Sequence, residues 1–319
     1  MINIQERISL APYTLYQIGG PARFFVEAEN EEEIKEAMRF AREREVPIFV
    51  LGRGSNVLVA DKGFDGLVLR VTAKEVKNEG DRIIADAGAM MASAVLASKN
   101  AGLTGFEWGI GVPGTVGGSV RGNAGCFGYE TKDVVESVRA LRIANQERNS
   151  EIEVVELNNK ECEFGYRYSI FKKHPELIIV SATLKLTKGN PEEIRAKIQE
   201  ITKERTAKQD IGTKSCGCIF KNIPWPERDG DKKELLQKFP ELRQFENSKN
   251  IPSSFLLDSS SLKGRREGSA VISPKHANFF VNEGGAAASD VAALIAIAKK
   301  EVQKKFSITL QEEIQYVGF

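Results

Sequence analysis

Between Gly105 and Gly128 the chain reads GFEWGIGVPGTVGGSVRGNAGCFG, and nine of these 24 residues are glycine. No helix or strand holds so much glycine throughout, because each one adds backbone entropy that folding must remove. Irregular stretches of this length inside a folded chain are usually functional or disordered. Glycines on both sides of Pro113 make a thin, stiff backbone wall. Such a wall suits a flat cofactor and its phosphates, and Asn123-Ala124-Gly125 extends it. The other reading is a purely structural loop.

A second glycine turn, Gly52-Arg53-Gly54-Ser55-Asn56, follows the apolar run Ile48-Phe49-Val50-Leu51, which reads as a buried strand. Closely spaced glycines let N–H groups approach a phosphate where a Cβ would obstruct it. The turn reads either as a pyrophosphate cradle or as an ordinary tight turn. It is not the dinucleotide fingerprint, since no helix clearly follows.

Strand and helix signals alternate around these turns. Asn30 with Glu33 has capping-box spacing, and Ile34, Ala37, Met38 and Ala41 then mark one apolar helix face. Helices are expected over Met90–Lys99, with Gly102 behind it, and from Pro191 to about Arg205. Val134–Ile143 and Ile152–Leu157 read as strands paired across the turn 144–150. Trp225–Asn250 carries many charges and is interrupted by Pro226, Gly230 and Pro240; a short helix is expected at Glu234–Phe239, and the stretch reads as an insertion, a surface excursion with a lid as the alternative. Ala286–Lys304 reads as an amphipathic helix and Ile308–Val317 as a closing strand.

The composition removes several classes of function. Lys plus Arg number 45 against 44 Asp plus Glu, so no basic excess points to nucleic acid. With two histidines and four cysteines, a metal site and a disulfide scaffold are both disfavoured. No apolar run is long enough for a membrane-spanning helix, and the N-terminus has no secretory pattern. A cytoplasmic protein with reduced thiols is the expectation.

Three further segments carry chemistry-bearing residues. Phe164–Lys172 sets Arg167 among aromatics, where a guanidinium can grip a carboxylate in bidentate fashion; a plain surface arginine is the competing reading. Ser215–Asn222 holds Cys216 and Cys218, and a thiol near Lys214 or Lys221 reads either as a reactive thiol with a lowered pKa or as a plain buried cysteine. Arg205 and Lys208 fall on one face if their helix continues, either to grip a diphosphate or to complement the helix dipole.

These segments occur in one order. TLYQIGGPA at Thr14–Ala22, VLGRGSNVLV at Val50–Val59, the glycine block, FGYRYSIF at Phe164–Phe171, SCGCIFKN at Ser215–Asn222, and SPKHANFFVN within Leu256–Asn282 lead to the ending Leu310–Gly318. In that order the chain resembles the UDP-N-acetylenolpyruvoylglucosamine reductases over nearly its whole length. The resemblance implies an α+β fold: a two-subdomain FAD-binding module of the vanillyl-alcohol-oxidase (PCMH) type, then an α+β substrate-binding domain. The expected boundaries are 1–72, 73–204, 205–306, and a returning C-terminal strand at 307–319.

It further implies FAD as cofactor, NADPH as reductant, and UDP-N-acetylglucosamine enolpyruvate as substrate. Hydride goes from the reduced flavin to the enolpyruvyl group, and a proton goes to the adjacent carbon. Matched residue by residue, Arg167 polarises the substrate carboxylate and Glu313 works beside it, with Glu312 one register away. Gly52, Arg53, Gly54, Ser55, Asn56, Val112, Pro113, Gly114, Thr115, Gly117, Gly118, Asn123, Ala124 and Gly125 hold FAD. Tyr166, Arg205, Lys208 and Asn222 meet the substrate.

Most members of the family carry serine as proton donor; this chain has Cys218. A free thiol, at a pKa of about 8.5, is far more acidic than an alcohol and can give one proton to a carbanion-like carbon. No added tyrosine loop follows Phe171, so the chain resembles the type lacking it. Two alternatives remain: another FAD-dependent oxidoreductase of the superfamily, disfavoured by the GYR and Lys275–Asn278 segments, and a non-catalytic homologue, disfavoured by Arg167 and Glu313.

Overall fold

The computed structural model describes residues 2–143, 151–208 and 212–319. The expected turn at 144–150 lies outside them, but its flanking strands Val135–Ile143 and Ile152–Asn158 pair antiparallel as anticipated. The helix after Asn30 spans Glu31–Glu43, with the Asn30 side chain accepting from the Glu33 N–H at 3.0 Å. The Glu33 carboxylate accepts from the Glu29 N–H at 2.7 Å, one residue before the usual capping-box partner.

Two larger sheets build the N-terminal part among the described residues. In the first, strands run in the order Gln5–Ser9, Pro21–Ala28, Phe64–Val71, Ile48–Leu51, the last three mutually parallel. The second is antiparallel, ordered Ile152–Asn158, Val135–Ile143, Ile178–Lys185, Arg82–Asp86, Val76–Glu79. One continuous apolar core, from Phe24 to Ile201, joins both sheets and helices Glu31–Glu43 and Met91–Asn100. The two sheets are therefore held by burial of shared surface rather than by a linker.

The C-terminal part has its own core, built on the sheet Arg266–Glu267, Ala270–Ile272, Phe280–Asn282 and the helix Ala288–Phe306. Tyr16, Ile18 and Leu58 enter this second core from the N-terminal part. Asp61 crosses the same boundary. Its carboxylate accepts from the Ala288 N–H at 2.7 Å and the Ser289 N–H at 3.1 Å, capping a helix far away in sequence.

Two expectations need correction. Within residues 225–250 the short helix expected over Glu234–Phe239 is present and longer, Asp229–Lys238, followed by a 3-10 turn Pro240–Phe245; Leu236, Phe239 and Leu242 are buried in the second core, so the stretch is packed rather than a surface excursion. The closing segment is a regular strand only over Gln315–Val317, paired parallel with Val57–Val59. Upstream it changes partner, since the Glu313 N–H donates to Ile219 O at 2.7 Å and the Lys221 N–H to Gln311 O at 2.9 Å. A chain that switches partners within a few residues cannot keep one ladder.

That switch sandwiches Cys218–Lys221 between the C-terminal segment and residues 276–279. Asn278, 2% exposed, clamps the middle: its side chain accepts from the Phe220 N–H at 2.9 Å and donates to the Phe220 carbonyl at 2.8 Å. Asn278→Leu leaves both groups unpaired in the core. Urea unfolding is expected to show a loss of about 2–4 kcal/mol; a loss below about 0.5 kcal/mol contradicts the clamp.

Candidate active site

The two glycine turns lie against each other. The Ser55 hydroxyl donates to Pro113 O at 3.2 Å, and a Cβ built on Gly52 would sit 2.6 Å from Thr115 Oγ1. Gly114 has φ +128°, and a Cβ there would meet Ser55 Oγ at 2.9 Å. The glycine block is more regular than expected: a 3-10 turn spans Glu107–Gly111, and Thr115 caps a short helix, Val116–Gly122, through the Gly118 N–H at 3.3 Å. The Gly117 N–H is spent on Ala87 O at 2.9 Å. Gly117 thus contributes by lacking a side chain, since a Cβ would press Ala87 Cβ at 2.8 Å.

A cavity of about 510 Å³ opens along these turns. It is lined by Gly52, Arg53, Gly54, Ser55, Asn56, Val112, Pro113, Gly114, Thr115, Gly118, Ala124, Gly125, Arg167, Arg205, Cys218 and Glu313, all expected site residues. An apolar annex holds Ile48, Val50, Val71, Phe171, Leu177 and Ile179 beside Gly117. Strand Ile48–Leu51 is accordingly half-buried rather than fully buried, because it faces the cavity. Wall glycines that a Cβ would fill, next to an apolar slot, fit a dinucleotide with a flat ring system.

Asn123 does not line the cavity. It is fully buried, and its amide donates to Gly165 O at 2.8 Å while accepting from the Lys132 N–H at 3.0 Å. It thereby ties the glycine block to the turn Gly165–Tyr168. In that turn Arg167 adopts φ +55°, a region costly for a residue with a Cβ.

Its guanidinium Nε donates to Glu313 Oε1 at 2.6 Å, with both side chains mostly buried. Burial raises the Glu313 carboxyl above its ordinary range, and Arg167 opposes that. Burial also works against the Arg167 charge, but Glu313, with Tyr166 and Cys218, more than offsets it, so the guanidinium stays protonated. Glu312 pairs instead with Lys299 at 3.0 Å. Of the two glutamates, it is Glu313 that meets Arg167.

Cys218 is half-buried on the same cavity. The lowered pKa of the reactive-thiol reading does not occur. Burial pushes the thiol up to about 12, Glu313 adds to the rise, and Arg167 and Arg205 only partly offset it. Arg205 lines the cavity beside Cys126, close enough that a Cβ on Gly111 would lie 2.9 Å from its Cδ. The helix does continue to Lys208, whose side chain lies outside the described residues.

Tyr166 and Asn222 do not line the cavity; the Tyr166 hydroxyl accepts from the Asn222 N–H at 3.1 Å, so these two expected substrate residues meet each other. Several lining residues were not anticipated, among them Arg121, Lys172, Lys221 and Gln315. Ser253 was also missed: fully buried, its hydroxyl donates to Lys221 O, and its N–H donates to Asn222 Oδ1 at 3.2 Å. The serine run around 253 carried no sign of that contact.

Comparison with known proteins agrees with this geometry. Residues 22–147 match an FAD binding domain, and residues 209–317 match the C-terminal domain of UDP-N-acetylenolpyruvoylglucosamine reductase. The UDP-N-acetylenolpyruvoylglucosamine reductase of Lactobacillus helveticus is 34% identical over 99% of this chain and 96% of its own. That of Carboxydothermus hydrogenoformans is 36% identical over 99% and 94%. The crystal structure of the Thermus caldophilus reductase superposes with a TM-score of 0.76 at 31% identity, covering 99% of this chain and all of the other.

Fold and site therefore define an FAD-dependent oxidoreductase with an α+β architecture, an FAD-binding module followed by a second, C-terminal module. Within that class, the chain belongs to the UDP-N-acetylenolpyruvoylglucosamine reductase family.

The wall makes a direct prediction. Gly114→Ala strains the backbone and crowds Ser55, so FAD affinity measured by equilibrium titration is expected to fall at least about tenfold. Gly230→Ala, where a methyl meets nothing within 4 Å, is expected to leave it unchanged. Equal affinities for both variants would remove the glycine turns from FAD binding.

Proposed function

We propose that the protein reduces the enolpyruvyl ether of UDP-N-acetylglucosamine enolpyruvate to the lactyl ether of UDP-N-acetylmuramate, with NADPH as reductant, in peptidoglycan precursor synthesis. The observation that carries this reading is the Arg167–Glu313 pair at 2.6 Å facing the same cavity as the Cys218 thiol. The cytoplasm, where NADPH is kept reduced, is the matching compartment.

Gly52–Asn56 and Val112–Gly118 would hold FAD, which would supply the hydride, with NADPH as its source. The protein's own residues do the rest. Arg167, pre-aimed by Glu313, receives the substrate carboxylate and stabilises negative charge developing there without reorganising. Glu313 keeps the guanidinium oriented, as the carboxylate does in other Arg–carboxylate pairs. Arg205 on the cavity wall, the hydrogen-bonded pair Asn222 and Tyr166, and Lys208 at the end of the Arg205 helix are the groups for the nucleotide diphosphate and sugar.

Cys218 gives the proton. Its elevated pKa keeps it a thiol throughout the physiological range, so the acid is present whenever substrate arrives. A carbanion-like carbon is a far stronger base than a thiolate, so transfer is still downhill. Arg167 and Arg205 both favour the thiolate that remains.

The direct test is NADPH oxidation by the FAD-loaded protein, which is expected only when the enolpyruvyl nucleotide sugar is added. Oxidation independent of that substrate would favour an oxidase. The proton donor is tested separately by single-turnover flavin reoxidation by substrate. Cys218→Ala is expected to slow it by about 10²–10⁴-fold, and Cys218→Ser to recover most of the rate. An alanine variant that matches wild type excludes the thiol.

With Cys218 protonated up to about pH 12, no loss of activity between pH 7 and 10 is expected from this residue. The alkaline limb should therefore be the same in wild type and Cys218→Ser. A limb displaced by that substitution would assign it to the thiol.

A further inference from the structure

The Gly165–Tyr168 turn is closed by its own backbone, Gly165 N–H to Tyr168 O at 3.0 Å and Tyr168 N–H to Gly165 O at 3.1 Å. Neither bond uses the carbonyl of Arg167, the residue that carries the left-handed φ of +55°. That carbonyl accepts instead from Lys172 Nζ at 2.8 Å. Lys172 stands on the single helical turn Ile170–Lys173, anchored by fully buried Phe171 and by the Ser169 hydroxyl, which donates to Arg121 O at 2.7 Å. The lysine is half-buried and lines the cavity.

We propose that Lys172 is a positioning residue for the reduction: its ammonium, bonded to the Arg167 carbonyl, holds the strained turn so that the guanidinium stays on Glu313 and faces the substrate carboxylate. This rests on the reaction proposed above. A charged donor makes a stronger bond to a carbonyl than a neutral amine does. The clamp therefore weakens when Lys172 loses its proton.

Its surroundings favour that loss within the working pH range. Burial is the main cause, and the charges of Arg121, from helix Val116–Gly122, and Lys221, from the Cys218 segment, add to it. Glu313 pulls the other way, and Arg167 adds a further cation. Together they bring the amine down to about 8. Below that pH the ammonium clamps Arg167, and above it the turn relaxes, so activity falls on the alkaline side.

Three variants of the FAD-loaded enzyme are compared across pH 6–10: wild type, Lys172→Met and Lys172→Arg. Lys172→Met is expected to lower kcat by about 10–100-fold, the cost of a misaimed group, with KM changed less than kcat and no limb near pH 8. Lys172→Arg restores kcat at neutral pH and removes the limb, because a guanidinium does not titrate there. A Met variant with wild-type kcat, or an Arg variant that keeps the limb, overturns the proposal.

If Lys172→Met does not retain FAD, the Arg variant decides alone. A second readout needs no turnover. Trace acetylation of the full chain with acetic anhydride, followed by mass spectrometry, is expected to give Lys172 a reactivity midpoint near pH 8. A midpoint in the ordinary lysine range overturns the clamp's titration. Wild type lacking substrate-dependent turnover instead sinks the proposed reaction, and the labelling result still stands for the lysine.

Discussion

The contact between Arg167 and Glu313 joins the two halves of the molecule on the cavity that the two glycine turns line. Arg167 belongs to a turn that packs on the N-terminal core, and Glu313 to a segment whose neighbours Leu310 and Ile314 lie in the C-terminal core. A buried ion pair is a poor source of stability, since desolvation of both charges offsets their attraction. Burial here indeed acts against both charged forms. In the proposed reaction the pair is a prepared receptor: a guanidinium already desolvated and oriented for a second carboxylate.

The rest of the site is arranged around that preparation. Arg53, Arg121, Lys172, Arg205 and Lys221 share the cavity with Arg167, against Glu312 and Glu313 on the acidic side. The whole chain is almost neutral at a formal +1, so the excess is local. A concave, positively biased wall concentrates anionic ligands and strengthens each contact they make. Phosphates, diphosphates and a carboxylate are what such a surface accepts. The annex behind strand Ile48–Leu51 offers a mostly apolar lining instead.

Much of this was legible in the residue order. The glycine block, the GRGSN turn, the Asn30 cap and the Cys218 segment are local signals, and each depends on a few neighbouring side chains. What escaped depends on contacts between distant segments. Asp61 capping Ala288–Phe306, Asn278 clamping Phe220 and Ser253 bracing Lys221 have no local signature. Lys172 stood inside a quoted motif, but its function lies in a carbonyl five residues back. The thiol pKa was misjudged for the same reason: neighbouring lysines in sequence suggested a low value, whereas burial in the folded cavity decides it.

The account's central claim is that Arg167 and Glu313 act as one unit. A double-mutant cycle on kcat/KM for substrate-dependent NADPH oxidation measures this directly, using Arg167→Met, Glu313→Gln and the pair. Coupled residues make each single change cost nearly as much as both together, and that is the expected result. Fully additive losses would mean that the two side chains act independently, and the prepared receptor described here would not exist.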